Sequence, residues 1–180
     1  LVITPLQYTA LQASTHPEWP MPSWSKNEPY SWTMTGNSQS SEEALVSSDG
    51  SVTPWAKAPR TEIWLYHRDE ELLTYADPNQ IEFSLSDSHA PIPTWEWQSA
   101  NVIVSNTLFG DHKNKAIRWK VTLANHSASH VELDMMLSVR PFATNANSAP
   151  ICQLNTQLSN QMWVNNKPFL IAAIHAKHTG

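Results

Sequence analysis

Four residues carry the chemistry this chain most directly suggests: Trp55, Trp95, Trp97 and Arg140. An indole is flat and apolar on its faces, so it can stack on the apolar face of a sugar ring while polar neighbours reach the hydroxyls. Trp95 and Trp97 stand two apart in Pro91-Ile92-Pro93-Thr94-Trp95-Glu96-Trp97, and in an extended strand that spacing puts both rings on one face. Trp55 follows Pro54 in a segment that reads as a loop, where binding residues often sit. Each ring has a second reading as core filler, because tryptophan is usually largely buried. Arg140 ends a β-rich run just before Pro141. It can pair with a carboxylate and hold the loop, or reach a ligand at the sheet end.

Other reactive types are present without a pattern that does chemistry. His126 and His130 have a spacing that would suit a metal on a helix. Here they bracket a turn between two strands, so their rings need not converge, and His175 and His178 are no more informative. The acidic clusters Glu42-Glu43 and Asp69-Glu70-Glu71 fall in turns and read as solvated surface. There is no Gly-x-Ser-x-Gly, no phosphate-binding loop and no dinucleotide fingerprint, and only 4 glycines to build one. Asn125-His126-Ser127 is an N-glycosylation sequon. No catalytic residue, metal or cofactor is expected.

The elements that must position these residues are strands. The 180 residues suit one domain, with 41% hydrophobic and 15% charged residues, too apolar for a disordered chain. A net charge of -5 argues against nucleic acid as a partner, and no apolar run is long enough to span a membrane as a helix. The 13 prolines against 4 glycines favour turns and extended segments over long helices. The single Cys152 has no internal partner for a disulfide.

Residues 1–43 form a separate stretch, with prolines at 5, 17, 20, 22 and 29 and Trp19, Trp24 and Trp32 at irregular spacing. They read as an extended arm packed on a body at 44–180. In that body Ser48-Asp49-Gly50 marks a hairpin turn, Glu62 to His67 a strand, Leu72 to Tyr75 its return, and Ile81 to Ser86 a strand of period two. Ile117 to Ala124 and Val131 to Val139 alternate most cleanly, and together they predict one long antiparallel hairpin. No window shows a sustained helical stripe. The expected fold is all-β, an antiparallel β-sandwich.

The order Asp49-Gly50, Val52-Thr53-Pro54-Trp55, Tyr75-Ala76-Asp77, Pro91-Ile92-Pro93 with Trp97, Asn125 and Val139-Arg140-Pro141-Phe142 resembles one family. It is similar to the N-terminal β-sandwich domains of bacterial proteins related to glycogen-debranching enzymes and other (α/α)6-barrel glycosidases. The likeness runs from about Ala44 to Leu170 and implies a galactose-mutarotase-like supersandwich followed, beyond Gly180, by a helical barrel that holds the catalytic acid and base. The family's Gln-Val-Asn-Pro-like run is replaced here by Ala143-Thr144-Asn145-Ala146-Asn147. The resemblance implies a non-catalytic domain of a glycoside hydrolase that packs on the barrel and contributes to binding an oligo- or polysaccharide. A stand-alone carbohydrate-binding module with a tryptophan platform is the alternative. A mutarotase-like sugar epimerase using a histidine and a carboxylate is a third.

Overall fold

The structure, a computed structural model, describes residues 32–36, 43–86, 92–141, 143–144, 149–156 and 161–171. Among them there is no helix, and thirteen strands form three antiparallel sheets. The large sheet holds β1 (Trp32–Gly36), β2 (Glu43–Ser47), β3 (Val52–Thr53), β4 (Arg60–His67), β5 (Leu72–Tyr75) and β10 (Leu133–Arg140). β10 pairs along the whole of β4 on one side, while β3 and β5 share its other side. The four-stranded sheet runs β6 (Glu82–Ser86), β7 (Ile92–Ser99), β8 (Val102–Asp111) and β9 (Ala116–Asn125) in sequence order. A small sheet is made of β11 (Leu154–Thr156), β12 (Gln161–Val164) and β13 (Lys167–Ile171).

The two larger sheets share one apolar core. Ala44, Val46, Val52, Ile63 and Leu65 come from the large sheet, and Trp95, Trp97, Val102, Val104 and Leu108 from the four-stranded one. This is the all-β fold the alternation predicts, with two inward faces meeting as in a sandwich. Trp95 lies flat against Phe83, with centroids 6.4 Å apart at 18°, and is tilted against Trp119 at 5.8 Å. The turn at 48–50 forms as expected, and its Gly50 has φ +79. A Cβ there would stand 3.1 Å from Trp95 Nε1, so glycine serves both the turn and the core. The small sheet packs its Val164 and Phe169 with Ala58, against Leu137 and Val139 of β10.

One expectation is overturned. Strands form in both runs, at Ala116–Asn125 and Leu133–Arg140, but they do not pair with each other. β9 pairs with β8 over ten residues, whereas β10 pairs with β4 over eight, in the other sheet. Alternation requires only that one face of a strand be buried, and a shared core satisfies that from either sheet. Local contacts settle the choice. Asp111 caps the β8–β9 turn by accepting from the Lys113 and Asn114 backbone amides at 3.0 and 3.2 Å. Arg68, at the end of β4, donates to the Glu132 carbonyl and grips Asp134 with its guanidinium, drawing β10 alongside β4.

Of the arm expected over 1–43, residues 32–36 are described and form β1, and Glu43 opens β2. All five prolines of the arm, with Trp19 and Trp24, lie outside the described residues, as do Pro91, Phe142, Asn145, Ala146, Asn147, His175 and His178.

Candidate functional site

The structure distributes the four residues singled out above among three places. Trp95 and Trp97 do share one face, but that face is the core, and they are 1% and 4% exposed. An indole so enclosed has no face for a ligand, so these two fill the core, as their second reading has it. Trp55 is half-buried and meets Phe169 edge-on at 5.4 Å in the small apolar cluster. Arg140 is buried and ion-paired with Glu62. The four do not form one site.

Arg140 leads to a group of residues the tryptophans had overshadowed. In β4, Thr61, Ile63, Leu65 and His67 point one way, Ile63 and Leu65 into the shared core, so Arg60, Glu62, Trp64 and Tyr66 point to the opposite face. The register with β10 places Arg60 opposite Arg140, Glu62 opposite Ser138, Trp64 opposite Met136 and Tyr66 opposite Asp134. On the other side β5 brings Tyr75 beside Trp64 and Leu73 beside Tyr66. The outer face of this sheet therefore carries a charged end and an aromatic end.

At the charged end Arg60 is 1% exposed, Asp49 and Arg140 6%, and Glu62 9%. Among the described residues two positive and two negative groups sit together, so each buried charge has an opposite one nearby, as burial of charge demands. Arg60 lies 3.6 Å from Asp49 and 4.0 Å from Glu62. Glu62 thus stands between two guanidiniums that the register sets side by side. Asp49 is held by its own turn, accepting from the Ser51 amide at 2.9 Å. The buried Thr144 hydroxyl and amide both bond to Thr53 Oγ1, at 2.9 and 2.7 Å, and tie the segment after Arg140 to β3.

Glu62 also joins the two ends, since its Oε2 accepts from Trp64 Nε1 at 3.4 Å. The Trp64 and Tyr75 rings lie 5.8 Å apart at 40°, with Tyr66 one step along the same face and the exposed side chains Leu73 and Met136 beside them. Arg68 and Asp134 close this end with a two-pronged ion pair, Nε to Oδ2 at 2.9 Å and Nη2 to Oδ1 at 2.5 Å. That bond lowers the Asp134 carboxyl and raises the Arg68 guanidinium from their ordinary pKa values. The result is a half-buried aromatic strip flanked by charged hydrogen-bonding groups. The outer face of the four-stranded sheet mixes Ser84, Thr94, Ser105, Thr107, Thr122 and Lys120 with Glu96, Ile103 and Phe109.

The signal for this face was in the sequence. Glu62, Trp64 and Tyr66 alternate with Ile63, Leu65 and His67, with Arg60 in phase. Both phases are rich in bulky side chains, so period two alone does not tell which one faces the core. Among the histidines, His67 is 3% exposed and its Nε2 lies 2.5 Å from Ser99 Oγ, which in turn lies 2.5 Å from Thr74 Oγ1. This chain of hydroxyls joins the two sheets inside the protein. His126 and His130 are exposed on the connection between β9 and β10, and among the described residues no three His, Cys, Asp or Glu side chains are placed to hold a metal ion.

Fold and site together define an all-β protein whose large sheet carries, on its outer face, a buried ion cluster running into an aromatic strip. No family model, curated protein or solved structure matches the chain.

Proposed function

We propose that this chain is a non-catalytic β-sandwich domain of a carbohydrate-active enzyme, binding an oligo- or polysaccharide beside a helical-barrel catalytic domain. The observation that carries the reading is the strip of Trp64, Tyr66 and Tyr75 on a rigid sheet, with Glu62, Asp134 and Arg68 at its margins. Ring faces offer stacking to the C–H face of a sugar, while the exposed Arg68 and Asp134 side chains at the margin match its hydroxyls. The resemblance of the segment from Ala44 to Leu170 to debranching-enzyme-like domains points the same way. The ion cluster supports the site from behind, because Glu62 is fixed by Arg140 and itself orients the Trp64 indole.

Affinity electrophoresis through gels containing soluble neutral polysaccharides tests the reading. At least one polysaccharide retards the wild-type chain, and Trp64→Ala and Tyr75→Ala abolish the retardation while the β-sheet circular dichroism is kept. Unretarded migration in every polysaccharide, or retardation that both variants retain, sinks it. The intact mass of the gene product from its source cells separates the two forms of the proposal. A mass far above that of 180 residues places the sandwich within a larger enzyme, and a mass equal to it makes the domain a stand-alone carbohydrate-binding module.

A further inference from the structure

β9 and β10 are the last strands of the two facing sheets, and the connection 126–132 joins them directly. Among the described residues no strand pairs with the outer edge of either one. Alternate residues of the ten in β9 therefore direct their main-chain donors and acceptors to an edge that no described strand covers. Beside that edge the inward-facing side chains are not sealed. Leu123 of β9 is 39% exposed and Met135 of β10 is 49% exposed, although the register partner of Met135, Leu65, is fully buried. Both residues lie two positions from the strand ends that meet the connection.

The charge of this edge is as distinctive as its shape. His112, Lys113, Lys115, Arg118 and Lys120 fall within one hairpin, where Asp111 is the lone acid, in a chain whose net charge is -5. Asp111 is committed to the turn and to Arg118. Lysines alone on an edge would serve to repel unwanted pairing. Exposed leucine and methionine at the mouth of the same seam do the opposite, because they leave apolar surface for something to cover. A second copy paired antiparallel about Trp119 would set Arg118 of one strand against Lys120 of the other, and like charges directly opposite disfavour that arrangement.

We infer that the β9 edge accepts an extended, acidic peptide segment of a partner polypeptide, added as a fifth strand to the four-stranded sheet. Alternate apolar residues of that segment cover the seam at Leu123 and Met135, and acidic residues on its other face meet Lys113, Lys115 and Lys120. This inference stands independently of sugar binding, which uses the outer face of the other sheet.

Selection of an unbiased ten-residue peptide display library on the folded chain tests it. The expected winners alternate apolar and acidic residues. A labelled winner then binds at least tenfold more weakly to Lys120→Glu and to Leu123→Asp, and tenfold more weakly when its own central residue is proline. Amide exchange slows in β9 on binding. Both variants are checked by circular dichroism, and Lys57→Glu, on a loop elsewhere, serves as a folded charge-reversal control that leaves binding unchanged. Failure to enrich any peptide, winners without alternation or acidity, binding that survives the proline, or protection on another strand would each overturn the inference.

Discussion

Replacing Glu62 with glutamine tests whether the ion cluster holds the outer face of the large sheet together. The side chain keeps its size and its hydrogen-bonding reach to Trp64 but loses its charge. Arg60 and Arg140 are register partners, 1% and 6% exposed, and among the described residues Asp49, 3.6 Å from Arg60, is the other carboxylate of the cluster. Breaking a buried ion pair from one side costs about 3–5 kcal/mol, because the surviving charge keeps its desolvation penalty without its attraction. Like charges directly opposite on neighbouring strands add to the loss. Against a total stability of about 5–15 kcal/mol this is a large fraction. For a chain of this size each kcal/mol is about 2–4 °C, so the melting temperature should fall by about 6–20 °C. Urea unfolding followed by tryptophan fluorescence reads the same quantity, since Trp95 and Trp97 leave the core on unfolding. The double variant Glu62→Leu/Arg140→Met removes both charges and should recover to within about 2 kcal/mol of wild type, as apolar replacements of buried pairs commonly do. A Glu62→Gln loss below about 1 kcal/mol, or a double variant as unstable as the sum of its parts, would refute the reasoning.

Three further outcomes follow from the geometry. Trp95→Ala should cost about 3–5 kcal/mol in a denaturant melt, since it empties the centre of the core between Phe83 and Trp119. Trp64→Ala, on the half-buried outer strip, should cost clearly less in the same melt, and equal losses would mean that Trp64 is packed like a core residue and not on an outer strip. Gly50→Ala should destabilise by about 1–3 kcal/mol, since φ is +79 and the new Cβ crowds Trp95; an unchanged midpoint contradicts that packing. The Asn114 and Arg118 side chains beside Asp111 hold its carboxyl at about 2, below its ordinary 3.8. A lowered folded-state value stabilises above the ordinary pKa and is lost as pH falls from about 4 towards 2. Melting temperatures of wild type and Asp111→Asn should therefore converge across that window at low salt, and parallel curves would exclude the role of the carboxylate.

The class of fold was legible in the residues themselves. Alternation at 81–86, 117–124 and 131–139, and the turn at Ser48-Asp49-Gly50, report local geometry, and local geometry is what a strand's two faces and a positive-φ turn residue encode. Which strand lies beside which was not encoded so locally. The runs at 117–124 and 131–139 look like a hairpin because each is amphipathic, yet they end different sheets, since a core shared by two sheets buries either face equally well. The same limit applies to the site. Trp95 and Trp97 sharing a face was determined by their spacing, but whether that face met water or the core depended on the opposing sheet, and it met the core. Arg60 and Glu62 come from one strand, Arg140 from another far along the sequence, and Asp49 from a turn. Only the ladder between β4 and β10 sets the two arginines side by side and makes the carboxylates between and beside them necessary, because a charge removed from water requires its partner within a few ångströms.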